Sequence, residues 1–253
     1  HGGGWDCRSW APQIASDLTD DYELIIYDIR GHGNSGAPPV EDYSIELLAA
    51  DLKGLVDALD LDRPAIGGLS LGGMIAHTYA AEYPDSLSAL IAAEARVSGT
   101  MSRSQRGLLA VFKPIASVFG IESVYTLQSW IAKVRGSDSA GGDTEIEGLD
   151  QRKMEYIREA ASQLSAAQYF EMISGVMDFE ASLEAIEVPT LVITGDDPHD
   201  VIVEARDALV NEIEDVRVCE IPDAGHAANL DNSPAFDTAV RDQKLTVNAD
   251  KQE

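Results

Sequence analysis

The sequence predicts an α/β fold, in which a mostly parallel sheet is covered by helices on both faces. Short apolar runs rich in β-branched residues alternate with segments of helical periodicity, which is the pattern of βαβ units. A chain of 253 residues is also long enough to form one large domain of this kind. Strands are predicted at Tyr22–Asp28, Pro64–Gly67, Ala89–Ala93, Thr190–Thr194 and Val216–Ile221.

One amphipathic helix stands out between the first two predicted strands, over residues 45–59. Ser44 precedes it and is a favourable N-cap residue. Apolar side chains recur on one face at helical spacing, which predicts that this face is buried in the core: Leu48, Leu52, Leu55, Val56 and Leu59.

The strand and helix alternation stops between residues 98 and 184, where helical segments flank an acidic, glycine-containing loop at 136–148. We therefore expect a core formed by residues 1–97 and 185–253, with 98–184 as a helical insertion. Because ligand pockets are mostly apolar, the large apolar residues of the insertion are candidates for a pocket lining, with ordinary packing inside the insertion as the alternative for each. They are Phe112, Phe119, Trp130, Met154, Tyr169, Phe170, Met172 and Met177.

Charge and composition exclude several classes of partner. The chain has 44 acidic and 18 basic residues, a net charge of −26 and a pI near 4.3, so its surface repels nucleic acid. No stretch approaches the roughly 20 apolar residues of a membrane span. No secretory signal is visible and the two cysteines are too few for a disulfide framework. We expect a cytoplasmic protein that acts on a small molecule.

The acidic surface also suggests adaptation to high salt, since salt screens the self-repulsion of a strongly charged compact state. The Tm is then expected to rise between dilute buffer and molar KCl. Thermal unfolding followed by circular dichroism tests this, and a Tm that does not rise would contradict it.

The strongest local motif is a serine between a predicted strand and a predicted helix at Met74–Tyr83, in the sequence Gly68-Leu69-Ser70-Leu71-Gly72-Gly73. A serine at such a sharp turn projects its hydroxyl outward, and small residues two positions to either side leave room for the strained backbone. The pattern predicts that Ser70 is a nucleophile. A glycine-rich turn with an inert serine is the alternative.

A serine nucleophile needs a general base, and His226 is the best of the five histidines. It follows the last predicted strand, at the carboxyl edge where open α/β sheets build their sites. His77 falls inside a helix, His32 in a turn and His199 in a loop.

The base needs an acid to orient it, and several carboxylates compete. Asp197, directly before a proline in the loop after the predicted strand at 190–194, is the first choice because the chain order is then serine, acid, histidine. Asp196 and Asp200 are local alternatives, and Glu94 at the end of the preceding strand is another.

Acyl transfer also needs donors for the negative charge that develops on the substrate oxygen. The backbone N–H of Leu71, directly after the nucleophile, is one candidate. The second lies in the glycine run after His1, where missing side chains let the backbone approach a substrate. We favour Gly3, with Gly4 as the alternative.

These motifs together resemble the α/β-hydrolase superfamily, especially its branch of small esterases, enol-lactonases and cofactor-free haloperoxidases. The resemblance rests on the His-Gly start with Trp5 and Trp10 behind it, the serine motif, the Gly225-His226 pair and the turn Asp28-Ile29-Arg30-Gly31-His32-Gly33-Asn34-Ser35. It implies hydrolysis of a small carboxylic ester or lactone through an acyl-enzyme, with no cofactor and no metal. It also implies that the insertion is a cap and that His32 is structural.

Two features depart from that family. The acid loop is one residue shorter than is common, and the strands that precede the His-Gly motif in relatives are not in this sequence. One of those strands would lie between the predicted strands at Tyr22 and Pro64, so we expect a longer form of the chain to be more stable. Cleavage of a carbon–carbon bond in a diketone and non-catalytic ligand binding are the alternative functions.

Overall fold

The computed structural model describes residues 1–36, 43–100 and 174–243, with Met172 and isolated positions between 102 and 160. The strands of the described residues are β1 (Ala65–Leu69), β2 (Ala89–Ala93), β3 (Ser98–Gly99), β4 (Phe179–Glu180), β5 (Thr190–Gly195) and β6 (Val216–Ile221). Four of them form a central parallel sheet in the order β1-β2-β5-β6. Because the four central strands are parallel, their carboxyl ends lie at one edge of the sheet.

Helices cover this sheet, and the predicted α/β architecture is confirmed. Those whose bounds the structure gives are α1 (Ala11–Ile14), α2 (Leu18–Asp21), α3 (Ile45–Ala58), α4 (Leu71–Glu82), α5 (Asp200–Glu212), α6 (Ala228–Asp231) and α7 (Ser233–Asp242). None of the helices within these ranges has the length and apolar character needed to cross a bilayer.

Helix α3 forms as its sequence pattern predicts. The Ser44 hydroxyl accepts a hydrogen bond from the Leu47 backbone N–H at 3.1 Å, which caps the first turn. The helix ends one residue earlier than predicted, and Leu59 lies at its C-cap with 47% of its surface exposed. The other apolar positions face the core, where fully burying one leucine stabilises the fold by about 1.5–3 kcal/mol.

The sheet separates two hydrophobic cores. Val192 of β5 packs in the core that contains α3 and α4, whereas its neighbours Leu191 and Ile193 pack in the core that contains α7. Since successive side chains of a strand point to opposite faces, the two cores lie on opposite sides of the sheet. The sheet is therefore held from both sides, which fixes the loops at its carboxyl edge.

The strand predicted at Tyr22–Asp28 is not formed, and this prediction is wrong. The segment has no strand hydrogen bonding, and Ile25 and Ile26 are 44% and 39% exposed. A cavity of about 350 Å³ lies between residues 22–27 and β1. A strand requires a neighbour for its backbone groups, and no described segment occupies this gap, which lies where the resemblance places one more strand.

Most of the insertion predicted at residues 98–184 lies outside the described residues. Its two ends pair with each other in a short antiparallel ladder, Ser98 with Glu180 and Gly99 with Phe179. The segment therefore leaves the core and returns to it at one point. The predicted loop at 136–148 falls outside the described residues.

His77 gives the fold a pH-dependent weakness. It lies in α4 with none of its surface exposed, and burial lowers the pKa of its imidazole to about 4, with partial compensation from the Arg96 backbone. An unfolded histidine has a pKa near 6.5, so the unfolded state gains a proton first as the pH falls. The free energy of unfolding is expected to keep its highest value above pH 6.5 and to fall by up to about 3 kcal/mol as the pH decreases towards 4.

Urea unfolding at pH 7.5 and pH 5 measures this loss. Burial also lowers the pKa of His32, which contributes in the same direction. A His77→Leu variant isolates the effect, because it keeps an uncharged side chain of similar size. If wild type and variant lose equal stability between the two pH values, His77 is not the cause.

Candidate active site

Ser70 occupies the sharp turn between β1 and α4 that its motif predicts. Its backbone lies in the left-handed region, with φ 55° and ψ −114°, and non-glycine residues held there store about 1–3 kcal/mol of strain. Its N–H donates to the Ala93 carbonyl of the neighbouring strand at 2.9 Å. The side chain is partly exposed at the carboxyl edge of the sheet, where a substrate could reach it.

The glycine before this turn is required by close approach of the backbone. A Cβ at Gly68 would lie 2.1 Å from the carbonyl carbon of Gly72 and 2.6 Å from the nitrogen of Gly73. These are backbone atoms, which cannot move aside without changing the turn. The glycine therefore permits the conformation that presents the serine.

The predicted oxyanion donors lie next to each other. The Gly72 N–H donates to the His1 carbonyl at 3.0 Å, which holds the glycine run against the first turn of α4. A Cβ on Gly3 would be 3.7 Å from a methyl group of Leu71. The structure gives no hydrogen-bond acceptor among the described residues for the N–H of Gly3 or of Leu71. Both groups remain available to a substrate oxygen.

Gly4, the alternative donor, is already engaged. Its N–H donates to Nε2 of His32 at 3.1 Å, and Nδ1 of His32 lies 3.1 Å from the Arg30 carbonyl. Burial lowers the pKa of this imidazole, so the ring is neutral at pH 7 and Nε2 can accept. His32 thus supports the glycine run, in agreement with the structural role that the family resemblance implies.

His226 lies in the loop after β6 and is paired with Glu94. Nδ1 of the imidazole is 3.3 Å from Oε2 of Glu94, whose side chain is 2% exposed, and Oε1 of Glu94 accepts the Gly195 N–H at 2.6 Å. Glu94 follows β2 and has a φ of 49°, the second non-glycine residue of the site in the left-handed region. A carboxylate acceptor at Nδ1 places the proton there and leaves Nε2 free to act as a base.

Asp197, the first choice of acid, makes no hydrogen bond to His226 among the described residues, and Glu94 lies at Nδ1 instead. Asp197 is exposed, and the neighbouring Asp196 instead accepts the Asp223 N–H at 2.8 Å. The short loop after β5 turns back at once, because the Asp196 N–H bonds to the Ala224 carbonyl at 3.1 Å. That turn leaves the loop carboxylates at the surface.

Asp200 and His199, the remaining candidates of this loop, begin α5. His199 is its N-cap residue and Asp200 its first residue, and both are exposed. Sequence reasoning named Glu94 only as an alternative. The available signal was an acidic residue directly at the end of a fully apolar strand, where a buried carboxylate needs partners.

Neighbouring strands bring Ser70 and the Glu94–His226 pair together. Ser70 and Glu94 follow Leu69 and Ala93, which are register partners in β1 and β2. No hydrogen bond joins the Ser70 hydroxyl and the His226 imidazole in this structure. Catalytic hydrogen bonds are often long in proteins without substrate and shorten in the complex.

One group of side chains in the described ranges has the spacing of a metal site. The ligand atoms of Asp6, Cys7 and Asp28 lie within 4.8 Å of one another. Asp6 is already paired with Arg8 at 2.7 Å, and Asp28 accepts the Cys7 N–H at 2.7 Å. Burial and Asp28 raise the pKa of the Cys7 thiol to about 11, and a protonated thiol is a poor ligand. The two carboxylates therefore stabilise the loop that follows the glycine run.

The apolar lining predicted from the insertion is represented by Met172 and Met177. The methyl group of Met172 is 3.7 Å from the Cβ position of Gly3, which places this side chain beside the candidate oxyanion donors. Met177 instead contacts the Arg96 guanidinium through its sulfur. The remaining members lie outside the described residues: Phe112, Phe119, Trp130, Met154, Tyr169 and Phe170.

Comparison with known proteins agrees with this geometry. Residues 1–113 match a family model described as the alpha/beta hydrolase fold. A crystal structure of an enol-lactonase from Burkholderia xenovorans is 26% identical, with a TM-score of 0.76 over 95% of this chain and 87% of that one. The chain has the α/β-hydrolase fold.

Two curated relatives are similar to this chain over most of its length. A putative carbamate hydrolase, RutD, from Klebsiella pneumoniae subsp. pneumoniae is 27% identical over 243 residues, covering 95% of this chain and 86% of the relative. A 3-oxoadipate enol-lactonase 2 from Acinetobacter baylyi is 27% identical over 245 residues, covering 94% and 84%. Both similarities extend past the family model into the part of the chain that contains His226.

Proposed function

We propose that this α/β-hydrolase cleaves a small carboxylic ester or lactone through an acyl-enzyme, with Ser70 as nucleophile, His226 as general base and Glu94 as the orienting acid. The observation that carries the proposal is the buried Glu94 carboxylate on Nδ1 of His226, one strand away from a serine held in a strained turn. A buried carboxylate with two partners is costly to assemble. It is useful where an imidazole has to be held in one tautomer.

In the first step, the Ser70 oxygen attacks the substrate carbonyl carbon while Nε2 of His226 takes the hydroxyl proton. The negative charge on the carbonyl oxygen meets the N–H groups of Gly3 and Leu71, and such preorganised donors each contribute on the order of 100- to 1,000-fold in rate. His226 then gives its proton to the leaving oxygen, which departs and leaves an ester on Ser70. Water, deprotonated by His226, hydrolyses that ester and restores the serine.

The relatives define the range of acyl groups that deserve testing. One is named for an enol-lactone and another for a carbamate, and both compounds contain a carbonyl carbon bonded to oxygen or nitrogen. Our proposal places the ester or lactone first because a single general base and an oxyanion pocket suffice for an oxygen leaving group. The apolar methyl of Met172 beside Gly3 favours a short, uncharged acyl chain there.

The test is rapid mixing with nitrophenyl esters of increasing acyl chain length, alongside a lactone and a carbamate. An acyl-enzyme predicts a burst of nitrophenol that equals the enzyme concentration, followed by slower turnover. A fluorophosphonate should label Ser70 with the same stoichiometry. Absence of both burst and labelling in folded protein would overturn the proposal and favour a binding role. Labelling without turnover of any of these substrates would point to carbon–carbon bond cleavage.

A further inference from the structure

Two residues of the insertion, Tyr156 and Glu159, contact the loop that carries the candidate oxyanion donor. The Tyr156 hydroxyl accepts the Asp6 N–H at 3.2 Å and has the Asp6 carbonyl and carboxylate oxygens at 3.0 Å as acceptors for its own proton. The Arg8 guanidinium lies over the Tyr156 ring, 5.2 Å from its centre. Arg8 also bridges Asp6 at 2.7 Å and Glu159 at 3.0 Å. We call this group the Tyr156 contact.

Asp6 is the centre of the Tyr156 contact. Only 3% of its surface is exposed, and it caps the short helical turn Cys7–Trp10 through the Arg8 N–H at 2.9 Å. Burial raises the pKa of the Asp6 carboxyl, but hydrogen bonds from Arg8 and Tyr156 outweigh burial and hold the pKa below its usual value. The carboxylate is therefore charged at neutral pH, which strengthens its hydrogen bonds.

A short, fixed stretch of backbone connects Asp6 to Gly3. Between them, the Gly4 N–H is held by His32 and the Trp5 N–H donates to the Gly2 carbonyl at 3.1 Å. Both intervening N–H groups, those of Gly4 and Trp5, are thus hydrogen-bonded, and Asp6 is held by Tyr156 of the insertion. Because this segment is short and hydrogen-bonded, a displacement of Asp6 also displaces Gly3.

We propose that Tyr156 is a positioning residue, which holds the Asp6 turn so that the Gly3 N–H faces the oxygen on which charge develops. The inference rests on the proposed function and assigns the insertion a part in the chemistry beyond lining the pocket. Oxyanion donors act within a few tenths of an ångström of the correct position. Loss of this restraint therefore weakens binding of the transition state more than it weakens binding of the substrate.

Tyr156→Phe removes the hydroxyl and leaves the ring under Arg8. Misplacement of a catalytic group by 1 Å costs on the order of 100-fold, so a partial shift is expected to lower kcat about 5- to 50-fold. KM for a short nitrophenyl ester should change less than about twofold, since uniform binding is not altered. Tyr83→Phe is the matched control, because Tyr83 is half-buried and lies at the C-cap of α4, at the opposite end of that helix from Ser70, and it should behave as wild type.

The inhibition constant of a boronic acid distinguishes a positioning role from a merely structural one, because the bound boronate resembles the transition state. Boron bonds to the Ser70 oxygen and the hydroxyl proton passes to His226. The tetrahedral boronate has a formal negative charge on boron, and one of its hydroxyl oxygens takes the place of the developing oxyanion. Its inhibition constant should rise in Tyr156→Phe by the same factor as kcat falls. Glu159→Gln, which leaves Arg8 on Asp6, should change both by less than about twofold.

Wild-type kcat and boronate affinity in Tyr156→Phe would overturn the inference, and so would a rise in KM alone. Amide hydrogen exchange at Gly4 separates this failure from failure of the proposed function. If the wild-type protein neither turns over esters nor binds the boronate, the proposed function fails. Faster exchange at Gly4 in Tyr156→Phe still supports the restraint, and unchanged exchange overturns it.

Discussion

Ser70→Ala is expected to lower kcat for a short nitrophenyl ester by on the order of 10⁶-fold, the loss seen when a serine hydrolase is deprived of its nucleophile. No acyl-enzyme can form without the hydroxyl, so the nitrophenol burst and fluorophosphonate labelling should disappear together. Residual turnover above the uncatalysed rate is expected, because the Gly3 and Leu71 N–H groups still stabilise charge on a substrate attacked by water. Rapid mixing and steady-state assays measure both quantities.

The control for this variant is an exposed serine outside the site. Ser182 is exposed and makes no capping hydrogen bond at the short helical turn Leu183–Ala185. Ser182→Ala should therefore retain wild-type kcat and Tm. Alanine at position 70 tolerates positive φ no worse than serine does, so the Tm of Ser70→Ala should also be close to wild type. A burst that persists in folded Ser70→Ala would place the nucleophile elsewhere.

The sequence predicted the sheet well because its strands are short runs rich in apolar residues. Ala89–Ala93 and Val216–Ile221 form with the predicted bounds, and β5 exceeds its prediction by one residue. These runs are bounded by turns and alternate with helices, so local pattern and tertiary packing agree. The segment Tyr22–Asp28 has the same composition, but a strand also depends on a neighbour, which its own residues cannot reveal.

The positions of Ser70 and His226 at the edge of the sheet could be predicted because they follow from local geometry, a strand-to-helix turn and a loop after the last strand. Which carboxylate reaches His226 depends on its distance across the sheet, and the conformation of the loop after β5 determines that distance. Asp196 bonds to the backbone of Asp223 and turns the loop after β5 away, while Glu94 reaches across from β2. The Tyr156 contact was equally hidden, since 150 residues separate its partners.

The second large effect on kcat is expected at Glu94, which competes with Asp197 as the acid that orients His226. Glu94→Gln is expected to lower kcat about 10⁴-fold, or about 5.4 kcal/mol, as removal of the charge from a triad acid does elsewhere. A glutamine can still accept the Gly195 N–H through its oxygen, so the fold is retained. Its amide group then faces Nδ1 of His226 and donates to it, which moves the imidazole proton to Nε2. The base can no longer take the proton of Ser70.

Asp197→Asn is the matched control, since it removes the same charge from the residue that chain order favours. Because Asp197 is exposed and makes no hydrogen bond to His226, the kcat of Asp197→Asn should stay within about twofold of the wild-type value. Glu94→Asp keeps the charge but is one methylene shorter, so it cannot bond both Gly195 and His226 and should lie between wild type and Glu94→Gln. The opposite ranking, with Asp197→Asn near 10⁻⁴ of wild type and Glu94→Gln active, would mean that the loop after β5 rearranges when substrate binds and that Glu94 only supports it.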